Sequence, residues 1–238
     1  MLVVVAAATA FLYPGPGVPD RSSPACAAAL VVGLRGHGDP LNAGYGMGED
    51  SWAVAARLAA RLDGRLDATM TGFPYSTGPW LRVGGHVRAA ATALRAFIAD
   101  RRRTCPGERL VLIGQSEGAA VVHLTLPSLG DELAAGVLLA DPLRVAGSPY
   151  DDLGSGQDGL LAHLLMGTWG GFGPVEDVIP PAMKKRVHSY CLGEDPVCNA
   201  TPTALLASTR KNVHKSYRNN PGRIADRAAA FAASRLLT

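Results

Sequence analysis

Short apolar runs alternate with longer alanine-rich segments along most of the chain, and this alternation limits the fold more than any other feature. Four to eight apolar residues between turn signals suit a strand buried on both faces, and amphipathic segments between such strands suit crossover helices. The spacing predicts strands at 28–34 (AALVVGL), 66–71 (LDATMT), 109–114 (RLVLIG), 134–141 (AAGVLLAD) and 185–192 (KRVHSYCL). Helices are predicted at 48–64, 84–103, 116–127 (stopped near Pro127) and 222–237, where alanines suit close packing on a sheet. The implied class is α/β, a three-layer α/β/α sandwich on a five-stranded parallel sheet. Residues 144–182, rich in Gly, Pro and Asp, break the beat, and a loop of that length is expected to border a binding cleft.

The 238 residues fit one domain, with 1–23 as an apolar leader plus Pro/Gly linker and 24–238 as the folded unit. There is no internal repeat. A net charge of +3 is spread along the chain, and its densest basic run, Arg101-Arg102-Arg103, falls where a helix ends and would complement the helix dipole. Nucleic acid is therefore not an expected partner. Four cysteines, Cys26, Cys105, Cys191 and Cys198, allow three pairings and lack the spacing of a zinc site, so two disulfides in an oxidising compartment are expected. Residues 2–12 (LVVVAAATAFL) are too short to span a bilayer but are similar to the apolar part of a secretory signal, without its basic start. Export is the expectation.

The segment RLVLIGQSEGAAVVHL sets Ser116 between Gly114 and Gly118, where a strand turns into a helix. A G-x-S-x-G match is weak alone; the strand before it and the helix after it give it meaning, because a sharp turn lifts the hydroxyl above the sheet edge. A serine hydroxyl needs an imidazole to take its proton and a carboxylate to orient that imidazole, and in this architecture they follow in the order Ser, acid, His. Of the later histidines, His123 sits two turns along the same helix, pointing away, and His188 lies inside the last strand. His163 also follows Ser116, but His214 in KNVHKSYRNN falls in the polar connection before the final helix and is the expected base. Asp141 and Asp195 both stand at carboxyl edges of strands. Asp195 is favoured because a Cys191–Cys198 bridge would fix its direction, adding roughly 2 to 3 kcal/mol in the chain-entropy model. The alternative role of Asp141 is to hydrogen-bond the loops around Pro142.

Four stretches together resemble the cutinase family of secreted serine esterases, particularly its actinobacterial branch: CAAALVVGLRGHGDP, CPGERLVLIGQSEGAAV, YCLGEDPVC and VHKSY. The resemblance covers about residues 24–237. It implies pairing of Cys26 with Cys105 and of Cys191 with Cys198, and a triad of Ser116, Asp195 and His214. It also implies an oxyanion hole made by the backbone N–H groups of His37 and Glu117. The sequence departs from that family in having Gln115 and Glu117 where Tyr and Gln usually flank the serine, and His37 where Ser or Thr is common. A carboxylate at Glu117 could cap the helix or, turned toward the oxyanion, oppose catalysis. The His37 side chain could add a donor, or its backbone alone could matter.

The function so implied is hydrolysis of lipid-like or polyester carboxylic esters through an acyl-enzyme, with no cofactor or metal, by a secreted monomer that can touch a lipid interface. Leu164, Leu165, Met166, Trp169 and Phe172 in LLMGTWGGF are candidate acyl contacts, with buried packing as their alternative role. A second enzyme reading resembles the mycobacteriophage lysin B esterases, which cut mycolic esters of the cell wall. A third is a catalytically silent relative that binds lipid or glycan, motivated by Glu117 and His37.

Overall fold

The computed structural model describes residues 26–79, 82–164, 179–208, 212–220 and 223–238, though not the side chains of residues 163, 164, 207 and 208. The leader expected at 1–23 and the candidate acyl contacts Leu165, Met166, Trp169 and Phe172 lie outside these residues, as does the side chain of Leu164. Strands β1 (Ala29–Leu34), β2 (Ala68–Gly72), β3 (Arg109–Gln115), β4 (Leu133–Leu139) and β5 (Val187–Tyr190) form a sheet in the order β2-β1-β3-β4-β5. Each neighbouring pair is parallel, as a regular strand–helix alternation requires.

Helices α1 (Glu49–Leu62), α2 (Val83–Thr104), α3 (Glu117–Thr125) and α6 (Ile224–Leu236) cover the two faces. Alternate residues of the strands divide between two cores. Leu30, Val32 and Leu34 of β1, with Leu110 and Leu112 of β3, meet Val87 and Leu94 of α2 and Val121 of α3. Val31, Val111 and Ile113 face the other way, onto Val54 and Leu58 of α1 and the alanines Ala228, Ala229 and Ala232 of α6. This period of two is what a strand buried on both faces demands. The Cys26–Cys105 disulfide joins the entry to β1 with the end of α2.

The strand order fixes where a ligand can bind. From β1 the chain passes through α1 to β2 on one side, then through α2 back across to β3 on the other side of β1. The connections leaving the carboxyl ends of β1 and β3 therefore part in opposite directions and open a crevice between them.

Two short helices were not anticipated by the periodicity: α4 (Leu160–Leu164) and α5 (Pro202–Ser208). The described parts of 144–182 are built rather than loose. The fully buried Arg144 guanidinium binds both carboxylate oxygens of Asp151, at 2.7 and 2.6 Å. It also donates to the carbonyls of Gln157, Cys198 and Ser155, at 2.6, 3.0 and 2.9 Å. Among the described residues no helix is long and apolar enough to cross a membrane.

Candidate active site

Ser116 stands between the last residue of β3 and the first of α3, with φ 55° and ψ −120°. A non-glycine residue in that region carries about 1–3 kcal/mol of strain, held only because its surroundings over-determine it. Its N–H donates to the Leu139 carbonyl at 2.9 Å, and its carbonyl accepts from Ala120 at 3.1 Å. Glycine is obligatory on both sides. A Cβ on Gly114 would lie 2.4 Å from the Gly118 carbonyl oxygen, and one on Gly118 would lie 2.6 Å from the carbonyl oxygens of Leu34 and Arg35. The turn thus presses α3 against the end of β1.

His214 enters from a 3-10 turn at Val213–Lys215, and its Nε2 is 2.8 Å from Ser116 Oγ. Its Nδ1 is 3.0 Å from Oδ2 and 3.2 Å from Oδ1 of Asp195. This spacing allows the hydroxyl to donate to Nε2 while Nδ1–H donates to the carboxylate. Asp195 is fully buried in the loop closed by the Cys191–Cys198 disulfide, and its Oδ1 accepts the Val197 N–H at 2.9 Å.

Three supports lay beyond the sequence reading. The buried Tyr217 hydroxyl donates to Asp195 Oδ2 at 2.8 Å and accepts the Leu192 N–H at 3.1 Å. Burial first, and the adjacent Asp195 charge second, push the Tyr217 phenol well above its ordinary range, so it keeps its proton. Asp50 on α1 accepts the Arg218 N–H at 2.8 Å and anchors the turn after His214; burial raises its carboxyl above the usual value. The Gln115 amide reaches the His214 carbonyl at 3.3 Å. The local cues were the position of Tyr217, three residues after His214, and that of Gln115, next to Ser116 and already singled out in the sequence, whereas nothing local marked Asp50.

The other candidates lie apart from the serine. His123 Nδ1 is 2.6 Å from Asp141 Oδ2, with both side chains fully buried. Asp141 Oδ1 accepts the Leu143 N–H at 2.9 Å, so Asp141 has the loop-holding role weighed for it around Pro142. His188 packs on Tyr190 and Phe231 and faces Asp152 at 3.7 Å. The side chain of His163 is outside the described residues.

The two positions of sequence departure meet each other. His37, in the loop after β1, places Nδ1 2.6 Å from Oε2 of Glu117 at the start of α3, a contact made because β1 and β3 are neighbours. Glu117 is 2% exposed, so its carboxylate neither caps the helix in solvent nor lies open to it. Burial raises its pKa more than the His37 hydrogen bond and the nearby His86 and Arg35 lower it. Both residues line a cavity of about 220 Å³ that also contains Ser116 and His214, with Val83, Pro142, Leu161 and Val197 as apolar wall. Among the described residues no three His, Cys, Asp or Glu side chains cluster as a metal site would need.

A family model described as Cutinase matches residues 25–236. The chain belongs to the cutinase family. As a cutinase-family member it is a carboxylic ester hydrolase. It is 27% identical to "Phospholipase Culp4" of Mycobacterium tuberculosis over 99% of this chain and 90% of that protein. It is 26% identical to "Carboxylesterase Culp1" of the same organism, over 98% and 93% respectively. Among solved structures, the catalytic core of acetyl xylan esterase from Trichoderma reesei superposes with TM-score 0.61 at 21% identity, covering 89% of this chain and all of that one. A cutinase-like protein from Cryptococcus sp. superposes with TM-score 0.60 at 17% identity, over 89% and 98%. At these identities the two structures speak for the shared fold, and the cutinase architecture is the one described above.

Proposed function

We propose that this cutinase-family chain is an extracellular serine esterase that hydrolyses lipid-like or polyester carboxylic esters through an acyl-enzyme. Ser116 Oγ attacks the carbonyl carbon while His214 Nε2 takes its proton, and Asp195 holds the imidazole in the required tautomer and stabilises its charged form. The backbone N–H groups of His37 and Glu117 donate to the oxyanion of the tetrahedral intermediate. Collapse expels the alcohol, which receives the proton from His214. Water, deprotonated in turn by His214, then releases the acid and restores Ser116.

The observation that carries this reading is the unbroken relay from the Ser116 hydroxyl through His214 to Asp195, at 2.8 and 3.0 Å. The apolar wall beside Ser116 supports an acyl chain, and the chain is similar to proteins named carboxylesterase and phospholipase. Contact with a lipid interface is supported by exposed leucines: Leu41 in the loop after β1, and Leu205 and Leu206 on α5. Two disulfides and no free cysteine support an oxidising compartment. The envelope mycolyl and silent-relative readings are not favoured.

The test is hydrolysis of p-nitrophenyl esters from butyrate to palmitate by wild type and Ser116→Ala. Loss of at least about 10³-fold in kcat is expected for the variant. Equal rates for the two proteins on every chain length would refute the reading.

A further inference from the structure

The carboxyl group of Glu117 is buried beside the place where the reaction, on the reading just given, builds negative charge. Its two oxygens are unequally served: Oε2 meets His37 Nδ1 at 2.6 Å, whereas Oε1 is buried without a hydrogen-bond partner. The groups around it come from four elements. They are His37 and Arg35 from the end of β1 and its loop, Tyr75 after β2, His86 on α2, and His214 across the cavity with the Lys215–Asp39 pair at 3.7 Å. Two nitrogens of the Arg35 guanidinium donate elsewhere, Nη2 to the Tyr75 carbonyl at 2.7 Å and Nε to the Asp39 carbonyl at 3.1 Å, while Nη1 is buried without a hydrogen-bond partner, so Arg35 acts on Glu117 through its charge alone. Tyr75 turns its hydroxyl to the Arg35 carbonyl at 2.5 Å. His37 is therefore the one group in this set hydrogen-bonded to the Glu117 carboxyl.

We infer that His37 and Glu117 form a proton-holding pair behind the oxyanion hole, and that esterase activity requires the proton they share. The proposal rests on the serine-esterase reading. With the proton present, the pair is an imidazolium facing a carboxylate, or a neutral imidazole facing a carboxylic acid, and its net charge is zero. When the proton leaves, one negative charge remains close to the developing oxyanion and opposes it. The two backbone donors are unchanged by this loss, so the pair sets the field in the hole rather than its hydrogen bonds. Both side chains are positioning groups.

The experiment is a pH profile of kcat/KM on p-nitrophenyl butyrate for wild type, Glu117→Gln and His37→Ser. Wild type is expected to lose about a hundredfold from its maximum as the pair deprotonates, the scale of one charge several ångströms from an anion at an effective dielectric constant of about 20. Glu117→Gln is expected to remove this alkaline fall, because no charge can then form. His37→Ser is expected to move the midpoint of the fall, because Glu117 then titrates without its partner. A merely structural contact would lower rates evenly and move neither limb. An alkaline limb of the same midpoint in all three proteins, or none in wild type, would overturn the proposal while leaving the esterase reading intact. Wild-type turnover no greater than that of Ser116→Ala would sink both.

Discussion

Removing one oxygen atom, in Tyr217→Phe, separates the hydrogen bonds around Asp195 from the packing that surrounds them. The ring is buried and phenylalanine fills the same volume, so the loss is confined to the hydroxyl. That hydroxyl is one of three donors to the Asp195 carboxylate, beside Val197 N–H and His214, and it also accepts the Leu192 N–H. A hydrogen bond to a charged buried group contributes about 1.5–3 kcal/mol. A stability loss of about 2 kcal/mol should lower Tm by about 4–8 °C in a chain of this size. In kinetics, Asp195 keeps its charge but loses one constraint, so kcat should fall about tenfold with KM nearly unchanged, far short of the roughly 10⁴-fold cost of giving the histidine the wrong tautomer. Stopped-flow kinetics, with calorimetry alongside, reads both. A variant that loses the Tm but keeps the wild-type kcat would refute the positioning role and leave Tyr217 as packing.

Asp195→Asn should lose about 10⁴-fold in kcat with a modest change in Tm. Asp141→Asn should instead lower Tm through the buried His123 contact while turnover per folded molecule is largely kept; kcat values normalised to active-site titration decide between them. For Glu117 the folded state binds the carboxyl proton more tightly than the unfolded chain does, because burial raises the pKa. Its contribution is then fully present below the unfolded value and is lost as pH rises through the folded one. The Tm of Glu117→Gln relative to wild type should therefore rise as pH climbs above the ordinary carboxyl range; a constant difference would contradict the assigned shift.

The strands and long helices were legible because each repeats a burial period over many residues, and the ends differ from expectation by a residue or two. Strand 185–192 loses two residues at each end: only Val187–Tyr190 pair with β4, since the flanking residues join a 3-10 turn and the disulfide loop. Helices α4 and α5 are too short to show a period. At the candidate site, Ser116, Asp195 and His214 were legible from turn chemistry and chain order. The supports were not, since Asp50 lies 168 residues from Arg218, and nothing local in α1 marks such a contact. His37 and Glu117 were each named from the sequence, but their meeting depended on the strand order, which an alternation of strands and helices does not specify.

The Arg144 guanidinium gives the irregular stretch after β4 a mechanical character. Its acceptors on Asp151, Ser155 and Gln157 converge on one planar group, so freeing one of them leaves a buried guanidinium short of a partner, and the stretch is expected to show correlated amide exchange. A fourth acceptor is the carbonyl of Cys198, at 3.0 Å, and Leu161 of the cavity wall hangs from Pro142 through its N–H at 2.9 Å. This stretch is thus expected to open as one cooperative unit, and its opening would loosen the cavity wall beside Ser116 and the loop that holds Asp195 in the same event.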